Sequence, residues 1–329
     1  MPRKLLTTVL ALAGFLCAAG SGLAQERLRL AWAGFSPTNS PIWTIQERKL
    51  LQKQGVESEI IAISNSPTVL QALLAGEIDA ASISVTTLVS SRLAGADTVM
   101  VLGVVPTFVD HIVTRTEITA VEHLKGKTGG VNRLGTTSDM GLRLALRRLG
   151  IDPERDTKIL PVGGNAERFA ALSKGLVHFT IMAEPFVREA EKLGFRDLVS
   201  IGSLKIPFWW NGILTRESTI KAKRPLILKL VRAMTEALHF LKTDKEAAKA
   251  IFRKNLGISD PEGLEKAYRD YSAVFPEVPY PYPDGVKTML DDLAPRNPKA
   301  ATADPKAFVD LSFVRELDSS GFIKQLYKK

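Results

Sequence analysis

The amino-acid sequence predicts an α/β protein built as two similar lobes, each a mostly parallel sheet flanked by helices, with a cleft between them. From Arg27 onward, short β-branched runs alternate with helical patterns, which is the signature of βα units. Residues 69–79 also have the same plan as residues 168–178: a helix closed by glycine leads into a buried strand. Two ordinary αβ junctions can resemble each other by chance, but an internal repeat of this kind favours two lobes of one plan. The identical residues lie 99 positions apart: Ala72, Leu73 and Gly76 recur as Ala171, Leu172 and Gly175.

The N-terminus has the order of a secretory signal peptide. Arg3 and Lys4 precede an apolar run over residues 5–19, and a stretch of small residues ends at Ala24. The apolar run is shorter than the roughly 20 residues that a transmembrane helix needs. We therefore predict that residues 1–24 are removed by cleavage near Ala24, which leaves a periplasmic mature chain that starts near Gln25.

The composition excludes several kinds of site. The one cysteine, Cys17, lies in the predicted leader, so the mature chain has no thiol for disulfides, nucleophilic catalysis or Cys-ligated metals. The formal charge of +9 becomes +7 after cleavage and is spread along the chain without a basic, aromatic-rich run. This favours a solvated basic surface that attracts anionic solutes, and no nucleic acid is expected as a partner. No nucleophile–base pair and no metal-ligand spacing stands out, so we expect no catalytic residue, metal or cofactor.

The elements of the first lobe precede those of the second. In the first lobe, strands are predicted over residues 27–34, 56–64, 78–84 and 98–105, with helices over 42–54, 67–75 and 87–94. In the second, strands are predicted over residues 128–132, 158–162, 177–182 and 198–201, with helices over 138–149, 166–174 and 185–193. Gly55 and Gly76 are expected to close two of the helices.

The rest of the chain is predicted to be mainly helical and to complete the first lobe. Amphipathic patterns cover residues 225–254, 262–274, 285–293 and 305–317. The lobes are therefore expected to comprise residues 25–109 plus 212–329, and residues 112–208. Crossings between them are expected near residues 109–112 and 208–212.

Four segments carry a resemblance to a known family. They are SPTVLQALLAGEIDAASIS at residues 66–84, LAGAD at 93–97, LKGKTGGVNRLGTTSDMGLRLALRRLGIDPERD at 124–156 and VGGNAERFAALSKG at 162–175. With these segments the sequence resembles the nitrate/sulfonate/taurine type of ABC importer solute-binding proteins, which also includes binders of thiamine-pyrimidine precursors. The resemblance implies a type II periplasmic-binding-protein-like fold, a small-molecule ligand between the lobes, an ABC permease in the inner membrane as partner, and no enzymatic activity. We expect a monomer.

Two positions depart from the family pattern. His178 stands where the family usually has an aspartate, which puts a structural contact in question. Met182-Ala183-Glu184-Pro185 stands where a proline pair is common, which can alter the pocket. The cysteine-rich motif of a related eukaryotic branch that makes the thiamine pyrimidine is absent, which disfavours that enzymatic role.

Candidate ligand-binding residues follow the carboxyl ends of the predicted strands, where the ligands of open α/β sheets collect. Ser, Thr and Asn are also the preferred helix N-caps, so each of them alone has a structural explanation. The candidates of the first lobe are Ser36, Thr38, Asn39, Ser64, Ser66, Ser84 and Thr86. Those of the second lobe are Arg133, Gly135, Thr136, Thr137, Ser138, Asn165 and Glu184.

The segment from Gly135 to Ser138 is the strongest of these candidates. It opens an amphipathic helix, whose N-terminal dipole and free N–H groups suit carboxylate, sulfonate or nitrate oxygens. It lacks the Gly-Lys-Thr ending of a nucleotide P-loop. Arg133 can pair with an anion or with Asp139. Glu184 is a first-turn helix residue or, if it faces the cleft, selects an amine or a ring N–H group.

The predicted crossings add four further candidates. Asp110 and His111 lie at the first crossing, and Trp209 and Trp210 at the second. The tryptophans can stack on a flat ligand or lie in the core. His111 can orient a ligand, serve as a hinge residue or be structural.

The predicted function is capture of a small organic anion, of the sulfonate, carboxylate or nitrate type, for delivery to a membrane permease. Two alternatives stay open. The ligand can be a thiamine-pyrimidine precursor or another aromatic heterocycle, and the protein can be a ligand sensor for a membrane receptor.

Overall fold

Two five-stranded sheets form the framework of the computed structural model, which describes residues 26–34, 36–63, 65–295 and 297–328. The predicted signal peptide, the predicted start at Gln25 and Ser64 lie outside these residues. The strands are β1 (Glu26–Ala33), β2 (Val56–Ile63), β3 (Ala80–Ser84), β4 (Thr98–Val105), β5 (His111–Thr114), β6 (Lys127–Val131), β7 (Thr157–Pro161), β8 (Phe179–Met182), β9 (Arg196–Ser200) and β10 (Asn211–Arg216). The strand order is β2-β1-β3-β10-β4 in one sheet and β7-β6-β8-β5-β9 in the other.

Each sheet has one reversed strand, which follows a crossing from the other sheet. Strand β5 is antiparallel to β8 and β9, and β10 is antiparallel to β3 and β4. The pairs β1–β2, β1–β3, β6–β7 and β6–β8 are parallel. The predicted two-lobed α/β fold is thus confirmed, and each sheet is mixed because the crossing strand enters it in the opposite direction.

Helices flank both sheets, and five of those after β10 contribute residues to one buried cluster with strands of the first sheet. They are α1 (Ser40–Arg48), α2 (Ser66–Ala75), α3 (Val85–Leu93), α4 (Thr137–Arg148), α5 (Asn165–Ser173), α6 (Phe186–Lys192), α7 (Glu217–Thr243), α8 (Lys245–Leu256), α9 (Pro261–Val274), α10 (Asp284–Leu293), α11 (Pro298–Thr302), α12 (Ser312–Ser319) and α13 (Phe322–Leu326). Leu230 and Met234 of α7 lie in one buried cluster with Trp43 of α1. In the described residues, no helix combines the length and apolar character that crossing a membrane requires.

Several predicted boundaries are wrong for local reasons. The helix predicted over 42–54 ends at Arg48, because Lys49 has the left-handed conformation that stops a helix (φ 54°). The helix predicted over 225–254 is two helices, because the Asp244 side chain accepts the N–H of Ala247 and starts α8. The segment 305–317 contains a 3-10 turn before α12. Gly76 ends α2 as predicted, with φ 74°.

The internal repeat extends well beyond the identical residues. Helices α2 and α5 begin at residues 66 and 165, 99 positions apart. The N–H of Asp79 donates to the Arg29 carbonyl at 2.8 Å, and the N–H of His178 donates to the Thr128 carbonyl at 2.8 Å. His178 lies 99 positions after Asp79, and Thr128 lies 99 positions after Arg29. The two lobes can therefore be compared position by position.

The two crossings lie against each other at the base of the lobes. Phe108 belongs to the first crossing and Phe208 to the second, and their rings stack with centroids 3.9 Å apart. Both rings are buried. The stacked rings therefore pack the two crossings against each other.

Candidate functional site

A chain of hydroxyl groups joins the two lobes at their helix N-termini. Ser84, at the end of β3, lies 3.1 Å from the Thr86 hydroxyl. The Thr86 hydroxyl lies 3.1 Å from that of Thr137, the first residue of α4. Ser66 accepts the N–H of Ser84 at 3.3 Å, which fixes the start of α2 against β3. Four of the predicted residues thus come together in one chain, and Thr86 and Thr137 bring the lobes into contact.

Thr38 and Asn39 hold the loop that follows β1. The amide of Asn39 donates to the carbonyls of Ala33 and Gly34 at 3.1 and 2.7 Å, and its oxygen accepts from Ser82 at 3.3 Å. Thr38 is buried next to it. The polar groups of Asn39 are therefore used by the loop itself.

The segment that opens α4 is also held by its own side chains. The N–H of Gly135 donates to Asp139 at 2.8 Å, and Asp139 pairs with Arg143 at 2.7 Å. Arg133 is exposed. Asp139 therefore has Arg143 as its partner, and the pairing of Arg133 with Asp139 that the sequence allowed is not formed.

Two further hydroxyls of this segment form hydrogen bonds with the loop before the helix. Thr136 donates to the Arg133 carbonyl at 2.7 Å, and Ser138 accepts the N–H of Asn132 at 3.0 Å. Of the predicted second-lobe hydroxyls, Thr137 is the one that reaches the first lobe.

Asp110 is a buried acid in the first crossing. Its side chain is 2 % exposed, and its Oδ2 atom has no hydrogen-bond partner among the described residues. Burial raises the pKa of Asp110 to about 6, although the charges of Arg168 and His111 act in the opposite direction. This carboxyl group is therefore costly to ionise in the folded chain.

Arg168 is a buried base on α5 and stands near Asp110. It is 4 % exposed and donates one N–H to Asn165 at 2.6 Å. Its Nε atom has no partner in the part of the chain that the structure describes. Burial lowers the pKa of Arg168, while Asp110 partly offsets this effect. The two charges act on each other, yet no ion pair within 4.0 Å joins them.

His111 pairs with a carboxylate of the second lobe. Its Nδ1 atom lies 2.8 Å from Asp197. Burial alone would lower the pKa of His111, but the hydrogen bond and charge of Asp197 outweigh burial and raise it. His111 therefore has a partner that orients its ring.

Glu184 joins the second lobe to helix α9. It is 8 % exposed and forms an ion pair with Lys266, which also pairs with Asp270 at 2.9 Å. Burial lowers the pKa of Lys266, but Glu184 and Asp270 outweigh it and raise the pKa. The charge of Glu184 is thus paired with Lys266 of α9. We define the interlobe cluster as Asp110, His111, Arg168, Glu184, Asp197, Lys266 and Tyr271.

A cavity of about 490 Å³ is lined by five members of this cluster, all except Asp110 and Arg168, and it is within the usual size of a small-molecule site. Tyr271 is buried at its wall, and burial raises the pKa of its hydroxyl well above the usual range. The cavity has walls from the first crossing, the second lobe and α9, among them Thr107, His111, Glu184, Asp197, Lys266 and Tyr271.

The two candidate tryptophans have different surroundings. Trp209 is buried, donates its indole N–H to the Tyr282 carbonyl at 2.7 Å, and lies so close to Gly103 that a Cβ there would be 2.3 Å from its ring. Trp209 is therefore packed into the core of the first lobe. Trp210 is partly buried and meets Phe108 edge-on at 6.2 Å.

The sequence analysis missed four members of the cluster: Arg168, Asp197, Lys266 and Tyr271. For Arg168 a signal was present, because the residue 99 positions earlier is Val69, which is fully buried. Charge at a position that is apolar in the other copy marks a residue that the fold alone does not require. The described residues contain no group of three or more His, Cys, Asp or Glu that could hold a metal ion.

Comparison with known proteins gives one family match. The model of the NMT1-like family matches residues 21–254, which is more than half of the chain. No match is found among curated proteins.

Solved structures of the same fold are numerous. A protein from Bordetella bronchiseptica RB50 is 18 % identical, with a TM-score of 0.73 over 90 % of this chain and 98 % of that one. The periplasmic aliphatic sulphonate binding protein SsuA from Escherichia coli is 22 % identical, with a TM-score of 0.64 over 76 % and 79 %. The periplasmic nitrate-binding protein NrtA from Synechocystis PCC 6803 is 13 % identical, with a TM-score of 0.69 over 90 % and 89 %. At these identities the likeness establishes the shared fold.

Proposed function

The chain belongs to the NMT1-like family, and on that premise we propose that it is the periplasmic solute-binding component of an ABC importer. In this proposal, residues 25–109 with 212–329 form one lobe, and residues 112–208 form the other. The crossings near 109–112 and 208–212 act as the hinge. The mature chain, released by cleavage near Ala24, captures a solute between the lobes as a monomer and delivers it to a permease without catalysing a reaction.

The observation that carries the proposal is the composition of the interlobe cluster. Lys266 comes from the first lobe, Asp110 from the first crossing, and Arg168 and Glu184 from the second lobe. A solute that contacts side chains of both lobes binds the closed form better than the open form, and only such differential affinity shifts the equilibrium between them. A site made of residues from both lobes is therefore what a capture mechanism needs.

A small organic anion is the first candidate solute. Arg168 supplies a buried positive charge whose Nε atom lacks a hydrogen-bond partner among the described residues. The mature chain has a net charge of +7, which favours the approach of anions. The likeness to a sulphonate-binding and a nitrate-binding protein supports the same class.

A solute with N–H groups is the second candidate, because two buried carboxyl groups belong to the cluster. Asp110 and Glu184 are acceptors, and an ionised Asp110, which has an oxygen atom without a partner among the described residues, would repel a simple anion. An amine or an aromatic heterocycle, such as a thiamine-pyrimidine precursor, would donate hydrogen bonds to them. The partly buried Trp210 would offer a ring to a flat solute.

A thermal-shift screen of the mature chain, residues 25–329, tests the proposal. The compounds are small sulfonates, carboxylates, nitrate, pyrimidines and amines. A compound present at 100 times its dissociation constant should raise the free energy of unfolding by about 2.7 kcal/mol. Small-angle scattering with that compound should show a smaller radius of gyration than without it, because closure brings the lobes together.

The site is tested with two glutamate variants. Glu184→Gln should weaken binding of the compound by about tenfold or more, because it changes a buried charged group of the cluster. Glu262→Gln, at an exposed ion pair with Arg188, should leave binding unchanged. Equal affinity in both variants, or binding without compaction, would contradict the proposed site.

Deletion of the gene separates uptake from sensing. Loss of uptake of the identified solute supports the importer role. Normal uptake with loss of a response to the solute would instead support a sensor for a membrane receptor.

A further inference from the structure

Glu184 and Lys266 form an ion pair that joins the two lobes at the wall of the cavity. Glu184 follows β8 of the second sheet. Lys266 lies on α9, whose Leu264 and Ala267 belong to a buried cluster with strands of the first sheet. Because the two partners belong to different lobes, the pair exists only while the lobes are together.

Lys266 also lies at the border between the cavity and the surface. A groove of about 470 Å³ adjoins the cavity, and Lys266 and Arg269 line both. Further ion pairs join the lobes within the described residues, but none of their members lines the cavity: Arg147–Asp292, Arg188–Asp260 and Arg188–Glu262. The pair of Glu184 with Lys266 is therefore the one that bridges the lobes at the cavity, on the side of the groove.

The internal repeat shows that the fold does not require a carboxylate at the position of Glu184. Val85 lies 99 positions earlier, begins α3 and is fully buried. The same succession of strand and helix thus forms in the first lobe with valine at this position. Glu184 is an addition to the common plan, and its charge is used for a contact with the other lobe.

Each partner has a second contact within its own lobe. Lys266 pairs with Asp270, one turn further along α9, at 2.9 Å. Glu184 accepts the N–H of Arg188 at 3.4 Å. A buried charge that loses its partner is strongly destabilising, but parting of the lobes would leave both charges with these contacts and would admit water to them. The pair can therefore break and form again at low cost.

Burial makes this pair stronger than an ion pair at the surface. The Glu184 side chain is 7 % exposed and that of Lys266 is 25 % exposed, so solvent and salt screen their attraction less than that of exposed charges. In the pair of Arg188 with Glu262, the Glu262 side chain is 82 % exposed, and exposed pairs contribute little. Glu262 is therefore a matched control for Glu184.

We propose that the Glu184–Lys266 ion pair is a gate of the interlobe cavity. It holds the lobes together in part of the solute-free molecules, breaks before a solute enters, and forms again behind the solute. This inference rests on the proposed function, since it assumes that the solute binds between the lobes. It does not depend on the chemical class of the solute.

The rate at which a small reagent reaches the cavity tests the gate without any solute. The mature chain lacks cysteine, so Thr107→Cys places a single thiol at the cavity wall. Iodoacetamide, which is small and neutral, should alkylate this thiol about threefold faster or more in Glu184→Gln and in Lys266→Met, because loss of the ion pair raises the open population. Glu262→Gln should leave the rate unchanged. An exposed thiol at Lys53→Cys should react equally in every variant.

The two gate variants separate access to the cavity from a change in the reactivity of the thiol. Alkylation requires the thiolate. Loss of the Glu184 charge would favour the thiolate, whereas loss of the Lys266 charge would disfavour it. An electrostatic effect alone would therefore change the two rates in opposite directions, but an open gate raises both. The double variant should be no faster than the faster single variant, because the same pair is lost in all three.

Four results would overturn the gate. They are unchanged rates in both single variants, rates that change in opposite directions, an additive increase in the double variant, and an equal increase in Glu262→Gln. Circular dichroism and thermal unfolding verify that each variant is folded. Unchanged rates, together with compaction of the chain by a compound of the thermal-shift screen, would leave the capture function intact and remove only the gate. If no compound compacts the chain in small-angle scattering, the capture function fails whatever the alkylation rates are.

Discussion

The two lobes use different residues at the same position of the repeat to make the same contact. In the first lobe, the Arg29 N–H donates to the Asp79 carboxylate at 2.8 Å. In the second, the Thr128 N–H donates to Nδ1 of His178 at 3.3 Å. The histidine thus replaces the carboxylate as the acceptor for a strand N–H group. The departure from the family pattern at His178 therefore concerns a structural contact within the sheet.

A second comparison separates two buried acids, Asp79 and Asp110. Asp79 is 4 % exposed, accepts the Arg29 N–H and pairs with Lys223 at 2.8 Å. Asp110 is equally buried but keeps an unpartnered oxygen in the described structure. Asp79 stabilises the fold, whereas the burial of ionised Asp110 opposes folding. A role in solute binding, as proposed for the interlobe cluster, would explain this difference.

The largest effect is expected for Asp79→Ala. The substitution removes hydrogen bonds from a backbone N–H and from a lysine to a charged acceptor, so the free energy of unfolding should fall by about 3 kcal/mol. Urea unfolding followed by circular dichroism measures this. Asp110→Ala is the matched control and should cost much less. A loss of similar size in both variants would remove the distinction between the two acids.

At neutral pH, Asp110→Asn should raise the free energy of unfolding, whereas Asp79→Ala should lower it. Because burial raises the pKa of Asp110 from 3.8 to about 6, the wild-type chain loses stability as the pH rises through this interval, and the loss is complete above it. Asp110→Asn has no carboxyl group to ionise at this position, so it does not lose stability over this pH interval. It should therefore be more stable than the wild type at pH 8 by about 1 to 3 kcal/mol, because the interval between 3.8 and about 6 sets the cost of ionising Asp110 in the folded chain. At pH 4 the two chains should differ little.

Urea unfolding at pH 4, 6 and 8 checks the Asp110→Asn prediction. A variant that is less stable than the wild type at pH 8 would mean that Asp110 has a stabilising partner in solution. That result would contradict the distinction between Asp79 as a stabilising acid and Asp110 as a destabilising one.

The smallest effect is expected at the contact between Thr86 and Thr137. Thr137→Ala removes a neutral hydrogen bond between the lobes, so it should weaken solute binding by about 0.5 to 1.5 kcal/mol if binding requires closure. Thr136→Ala is the control, because its hydroxyl donates within its own loop. Calorimetry that gives equal affinities for both variants would show that this contact does not form in the bound state.

Much of the fold could be predicted because its signals are local. The alternation of strands and helices and the repeat at 99 residues predict the two lobes, and glycines such as Gly76 mark helix ends. Strands β5 and β10 were not predicted. Strand β5 has four residues and pairs with β8 and β9, which follow it by more than 60 positions, so its formation depends on long-range pairing.

The candidate site was only partly predictable for a similar reason. Asp110, His111 and Glu184 were found because they lie at a crossing or a strand end, where ligands collect. Lys266 lies on α9 and reaches Glu184 across 82 positions of sequence, and no local pattern indicates such a contact. Arg168 has the spacing of an ordinary helix residue, and only its comparison with Val69 in the other copy reveals it.

The central claim is that a solute bound at the interlobe cluster draws the two lobes together. The mature chain lacks cysteine, so spin labels can be placed at Lys53→Cys in the first lobe and Glu191→Cys in the second, both exposed. Pulsed electron resonance then measures the distance between the labels with and without the tightest-binding compound of the thermal-shift screen. We predict a shorter, narrower distance distribution with the compound in the labelled chain, and no change at the same concentration when Arg168→Met is added. An unchanged distribution in the labelled chain, or the same shortening with Arg168→Met, would contradict the claim.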